Sequence, residues 1–69
     1  MRKEFIKESI EHYRELINDY NEMIAENKKQ MVKPGISQSK RNVFKTLVEA
    51  SEKEKRECQK AIERLLDEE

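Results

Sequence analysis

Ile6, Ile10, Tyr13, Ile17, Tyr20, Ile24, Asn27 and Met31 recur at alternating spacings of four and three residues, and Pro34-Gly35 then cuts the run. A four-three alternation marks a helix that buries one stripe against another helix. Phe5, Leu16 and Met23 widen that stripe on one side. Pro34 pushes Lys33 out of the helical region, and Pro-Gly suits the centre of a type II turn. Beyond the turn, Ser37 and Ser39 are both candidate N-caps for a second helix. That helix repeats the alternation through Phe44, Leu47, Ser51, Glu54, Cys58, Ala61 and Leu65, with Val43, Val48, Ala50, Ile62 and Leu66 beside it.

The expected fold class is therefore all-α: a coiled-coil-like antiparallel two-helix hairpin, one domain over residues 1–69. Helix 1 is expected over about 2–32, the turn over about 33–38 and helix 2 over about 39–67. Antiparallel pairing sets Met31 against Phe44, Asn27 against Leu47, Ile24 against Ser51 and Tyr20 against Glu54. The ladder continues through Ile17 with Cys58, Tyr13 with Ala61 and Ile10 with Leu65. Large residues meet small ones, and the Tyr20 hydroxyl is expected to satisfy Glu54.

Sixty-nine residues are too few for a generous core, and helix 2 has almost no large apolar side chain between Ala50 and Glu57. Each helix of a hairpin buries one stripe and leaves its shoulders wet. Phe5, Leu16 and Met23 on helix 1 and Val48, Ile62 and Leu66 on helix 2 are the expected shoulder. A homodimeric four-helix bundle covers them most simply, with a foreign protein surface as the alternative.

Charge is distributed unevenly along this chain of zero net charge. From Asn27 to Val48 there are six cations (Lys28, Lys29, Lys33, Lys40, Arg41, Lys45), and all 15 acids lie outside that stretch. Lys28 and Lys29 suit the negative end of the helix 1 dipole. Lys40, Arg41 and Lys45 stand instead at the positive end of helix 2, whose far end carries Asp67, Glu68 and Glu69. Helix 2 is charged against its own dipole. Two accounts compete: a dimer in which the basic tip lies beside the acidic termini of its mate, and an anion site at the tip. The anion-binding or partner-binding tip would comprise Lys33, Ile36, Lys40, Arg41 and Lys45. Ile36 either folds back on Phe44 or Met31 or protrudes as an anchor. The first of each pair is preferred. The outer face of helix 1 carries an acidic ridge, Glu15, Asp19, Glu22 and Glu26, read as a solvated surface or as a docking ridge for a basic groove.

Chemistry is sparse. His12 is the only histidine and Cys58 the only cysteine, so neither a histidine-based zinc site nor a paired nucleophile and base is supported. A single glycine excludes a glycine-rich phosphate loop. No catalytic residue, metal site or cofactor is expected, and the chain is not read as an enzyme. One unpaired cysteine excludes an intrachain disulfide and suits a reducing cytoplasm; no apolar run is long enough to span a membrane. The preferred function is a small cytoplasmic regulator or inhibitor that binds a partner protein. An excess of Lys over Arg suggests an AT-rich bacterial or phage genome, and by analogy with other tiny, helical, single-domain proteins a phage or mobile-element origin is expected, with the host cytoplasm as its location. The alternatives are a nucleic-acid-binding hairpin acting through its basic tip and a structural or scaffolding subunit.

Overall fold

The computed structural model describes residues 2–68. Two α-helices, α1 (Arg2–Met31) and α2 (Gln38–Asp67), lie antiparallel and pack along their length in an envelope of 54 × 14 × 10 Å. Neither is long and apolar enough to cross a membrane.

The turn forms as the sequence dictates. The Ile36 amide donates to the Lys33 carbonyl at 3.5 Å, with Pro34 and Gly35 between them and Gly35 at φ +79°. These are the features of a type II turn, whose third residue needs a positive φ that glycine adopts without strain. Of the two serines, Ser37 is the cap: its Oγ accepts from the Lys40 amide at 3.2 Å, and α2 starts at Gln38. Ser39 is an ordinary exposed residue of the first turn.

Helix α1 buries the stripe its spacing predicts. Ile6 and Ile10 are buried, and Tyr13, Ile17, Tyr20, Ile24, Asn27 and Met31 are half-buried. Helix α2 follows the expected seam at Phe44, Ser51, Cys58, Ala61 and Leu65 and departs from it at Leu47 and Glu54. Val48, Ser51 and Cys58 are buried and Phe44, Lys55, Ile62 and Leu65 half-buried, whereas Leu47 and Glu54 are exposed. The real seam is Phe44, Val48, Ser51, Lys55, Cys58, Ala61, Ile62 and Leu65. At Leu47 and Glu54 it therefore rotates by one residue, about 100° around the helix. Val48 takes the inner place expected of Leu47 and Lys55 that expected of Glu54, whereas Ala61 and Ile62 are both half-buried and Ala61 lines a cleft with Tyr13. No hydrogen bond joins Tyr20 to Glu54, which remains in water. The physical reason lies in the side chains. Lys55 can lay its aliphatic stem along the seam and carry its charge outward, which the shorter Glu54 cannot.

The buried set is small: Ile6, Ile10, Val48, Cys58 and Ser51 among the described residues. Truncating one of the apolar members removes a large share of the available packing. Ile10→Ala should destabilise the fold by about 2–4 kcal/mol, whereas Leu47→Ala, on an exposed position, should cost the hairpin itself less than about 1 kcal/mol. Urea unfolding followed by circular dichroism separates them; equal losses would place Leu47 in the seam after all.

Candidate functional site

The register sorts every remaining side chain onto one of two flanks. Arg2 lies 3.6 Å from Glu68 and Lys28 lies 3.8 Å from Glu52, each an ion pair between the helices. In heptad terms the first pair joins the positions just before the inner a residues, and the second joins those just after the inner d residues. Residues at the first kind of position therefore share one flank of the hairpin, and residues at the second kind share the other.

The two flanks differ in character. On the first, α1 presents Phe5, Ser9, Leu16, Met23 and Gln30, and α2 presents Val43, Leu47, Ala50 and Ala61. Phe5, Ser9 and Tyr13 line one cleft there with Ala61, Arg64 and Leu65. Phe5 is 66% exposed, Val43 58%, Met23 48% and Leu47 44%. Only Glu54, beside Leu16, interrupts the middle of this apolar strip. On the second flank stand Lys7, Arg14, Asn21 and Lys28 with Lys45, Glu52, Gln59 and Leu66, and Val32 lies exposed beside it next to the turn. Of the exposed large apolar side chains, Phe5, Met23, Val43 and Leu47 lie on the first flank and only Leu66 and Val32 lie off it.

This corrects part of the sequence-derived shoulder. Phe5, Leu16 and Met23 belong to one strip. Val48 and Ile62 are seam residues turned into the hairpin, and Leu66 lies on the opposite flank. The companions of Phe5, Leu16 and Met23 on α2 are instead Val43, Leu47, Ala50 and Ala61. Reading Leu47 as seam concealed this, since the same residue cannot serve both surfaces.

The basic tip divides into residues that hold the hairpin together and residues that remain available. Arg41 Nε donates to the Met31 carbonyl at 3.3 Å, and its Nη1 lies 3.4 Å from Gln38 Oε1. The last carbonyls of a helix have no partners within it and carry its negative pole. A guanidinium there satisfies one and neutralises the other, so Arg41 complements the dipole of α1 while opposing that of α2. Lys28 reaches Glu52 across the hairpin. Arg2 and Glu68 make the matching contact at the open end. Glu69 lies outside the described residues. Among the described residues, Lys33 and Lys40 have no carboxylate within ion-pair distance. They line an open cleft of about 390 Å³ with Gln30, Pro34, Gly35, Ser37, Ile36 and Phe44. Ile36 is half-buried in that cleft with Phe44 rather than projecting from it. Lys45 is exposed on the flank opposite the cleft.

The ridge of Glu15, Asp19, Glu22 and Glu26 is fully exposed along the outside of α1, next to the apolar strip. Glu26 accepts a hydrogen bond from Gln30 Nε2 at 3.0 Å; the other three make no ion pair. His12 and Tyr13 rings stand 5.8 Å apart at the far end. Cys58 is buried at the seam. Burial, then the negative charges of Glu54 and Glu57, push its thiol above the ordinary range. Among the described residues no group of three or more His, Cys, Asp or Glu side chains converges on a possible metal position. Comparison with protein-family models, curated proteins and solved structures finds no match to this chain.

Two predictions follow from these contacts. Arg41→Gln should lower stability by no more than about 1 kcal/mol, since the bond is exposed, yet by more than Lys40→Gln, which breaks no side-chain contact. Thermal unfolding of the two variants at equal concentration reads the order, and its reversal would remove Arg41 from hairpin closure. For Cys58, the folded chain holds a thiol proton that the unfolded chain releases, so unfolding loses protons and stability falls as pH rises. Stability should be free of this effect below the ordinary thiol value of about 8.5 and should decline above it. Cys58→Ala should abolish that part of the slope; an unchanged slope would show that the thiol does not cause it.

Proposed function

We propose that the protein is a non-enzymatic binding module, a small regulator or inhibitor whose working surface is the apolar flank of Phe5, Leu16, Met23, Val43 and Leu47. The observation that supports this reading is the asymmetry of the hairpin. Phe5, Met23, Val43 and Leu47 lie exposed on one flank, while the other carries Leu66 and Val32 among charged and amide side chains. Scattered exposed apolar residues are normal on a soluble surface, but a contiguous strip rimmed by charge marks an interaction site. A straight helical hairpin meets another helical surface by ridges into grooves, and two such layers make a four-helix bundle. The interior is too small to make the hairpin comfortable alone, so covering the strip stabilises the fold as it forms the complex.

A second reading rests on Lys33 and Lys40. Both cations are unpaired beside Ser37 and the start of α2, which favours an anionic partner such as nucleic acid. It is the weaker of the two, because Arg41 and Lys28 are already engaged within the hairpin.

The two separate experimentally. Tagged protein recovered from its native cells should carry a protein bound at this flank, a second copy of the chain or a foreign protein, that Met23→Glu/Leu47→Glu releases and Lys33→Glu/Lys40→Glu retains, with both variants shown to be helical. Partner capture that survives the apolar change but is lost with the lysines, or recovery of nucleic acid alone, would overturn the first reading in favour of the second.

A further inference from the structure

We infer that the apolar flank is covered by a second copy of this chain, related by a two-fold axis parallel to the helices, so that both turns lie at the same end. The inference rests on reading this flank as a docking surface and adds its occupant and orientation.

Two hairpins can stack face to face in two symmetric ways. A two-fold axis along the hairpin sets α1 of each copy over α2 of the other, with the turns together. An axis across the hairpin sets α1 over α1 and α2 over α2, with the turns at opposite ends. The rims of the strip distinguish them. Along α1 the rim is acidic, with Glu8, Glu15, Asp19, Glu22 and Glu26 exposed against the cation Lys29. Along α2 it is net basic: Glu57 and Lys60 pair with each other at 3.7 Å, which leaves Lys53 and Arg64 against Asp67.

Stacking α1 over α2 brings each acidic rim onto a basic one, twice per dimer. Asp19 is then level, to within a helical turn, with Lys53 of the second copy, and Glu8 with Arg64 of the second copy. Stacking α1 over α1 sets two acidic ridges against each other and Lys53 against its own symmetry mate. Like charges in register disfavour that arrangement.

The basic turns oppose this choice, since they would lie side by side. Their repulsion is limited by direction and by screening. Arg41 is turned to the Met31 carbonyl, and Lys28 and Lys45 lie on the far flank, which leaves Lys33 and Lys40 near the junction. At a Debye length of about 8 Å in physiological salt, neighbouring rim charges outweigh the separation of charge along the whole hairpin. The arrangement expected from the sequence, basic tip against acidic termini, loses its main support. The contacts of Arg2 with Glu68 and of Arg41 with Met31 engage part of that charge within one chain.

Spin labels test the geometry directly. In a Cys58→Ser background, one label is placed at Val32→Cys, near the turn, and in a separate protein at Glu4→Cys, near the open end. With the turns together, both proteins should give inter-label distances set by helix spacing and label length, on the order of 20–35 Å. With the turns apart, both distances should approach the 54 Å length of the hairpin. That result would overturn the orientation while leaving the docking flank intact. A protein monomeric at every concentration would overturn the second copy as occupant.

Charge exchange gives an independent readout. Asp19→Lys should weaken association about three- to tenfold, and adding Lys53→Asp to the same chain should restore it. Failure of the second change to restore association would contradict the pairing of the rims.

Discussion

The single seam between α1 and α2 is the constraint on which the rest depends. Ile6, Ile10, Val48 and Cys58, with Ser51 among them, are the only buried side chains of the described residues. Near the middle, the seam holds Tyr20, Lys55 and Asn27, which carry polar atoms that must reach water or a partner. Two helices joined along such a seam cannot also bury their sides. One flank manages this with charged and amide side chains. The other carries Phe5, Met23, Val43 and Leu47, and that difference is the basis of the proposed docking flank.

Electrostatics act at the two ends of the same hairpin. Considered alone, α2 is charged against its dipole, with Lys40 and Arg41 at its start and Asp67 and Glu68 at its finish. As half of an antiparallel pair it is charged correctly for its neighbour. The start of α2 lies beside the negative end of α1, where Arg41 meets the Met31 carbonyl, and its finish lies beside Arg2. Each exposed contact contributes little, yet together they favour the antiparallel hairpin over other pairings of the same helices. Lys33 and Lys40 are left at the turn without this explanation.

The hairpin itself was legible in the residues. Pro34-Gly35 could do little other than turn the chain, and the Ile and Tyr spacing of α1 admitted one buried stripe. Helix α2 was harder because its residues come in near-equivalent pairs. Leu47 and Val48 are both apolar, and Glu54 and Lys55 are both charged, so periodicity alone chose neither. Phe44, Ser51, Cys58, Ala61 and Leu65 were assigned to the seam and lie there. At Leu47 and Glu54 the seam moved by one residue, which carried Leu47 out to the docking flank and took Val48 away from it. The role of Arg41 was hidden for another reason: its partner is a backbone carbonyl ten residues away, which no pattern of side chains records.

The central claim is that this hairpin is half of a larger helical assembly and gains stability when its apolar flank is covered. Thermal unfolding across a hundredfold range of protein concentration tests it most directly, because association that favours the folded state makes the midpoint depend on concentration. The account predicts a midpoint that rises steadily with concentration, and a loss of that rise in Met23→Glu/Leu47→Glu. A cooperative transition whose midpoint is the same at every concentration would contradict it.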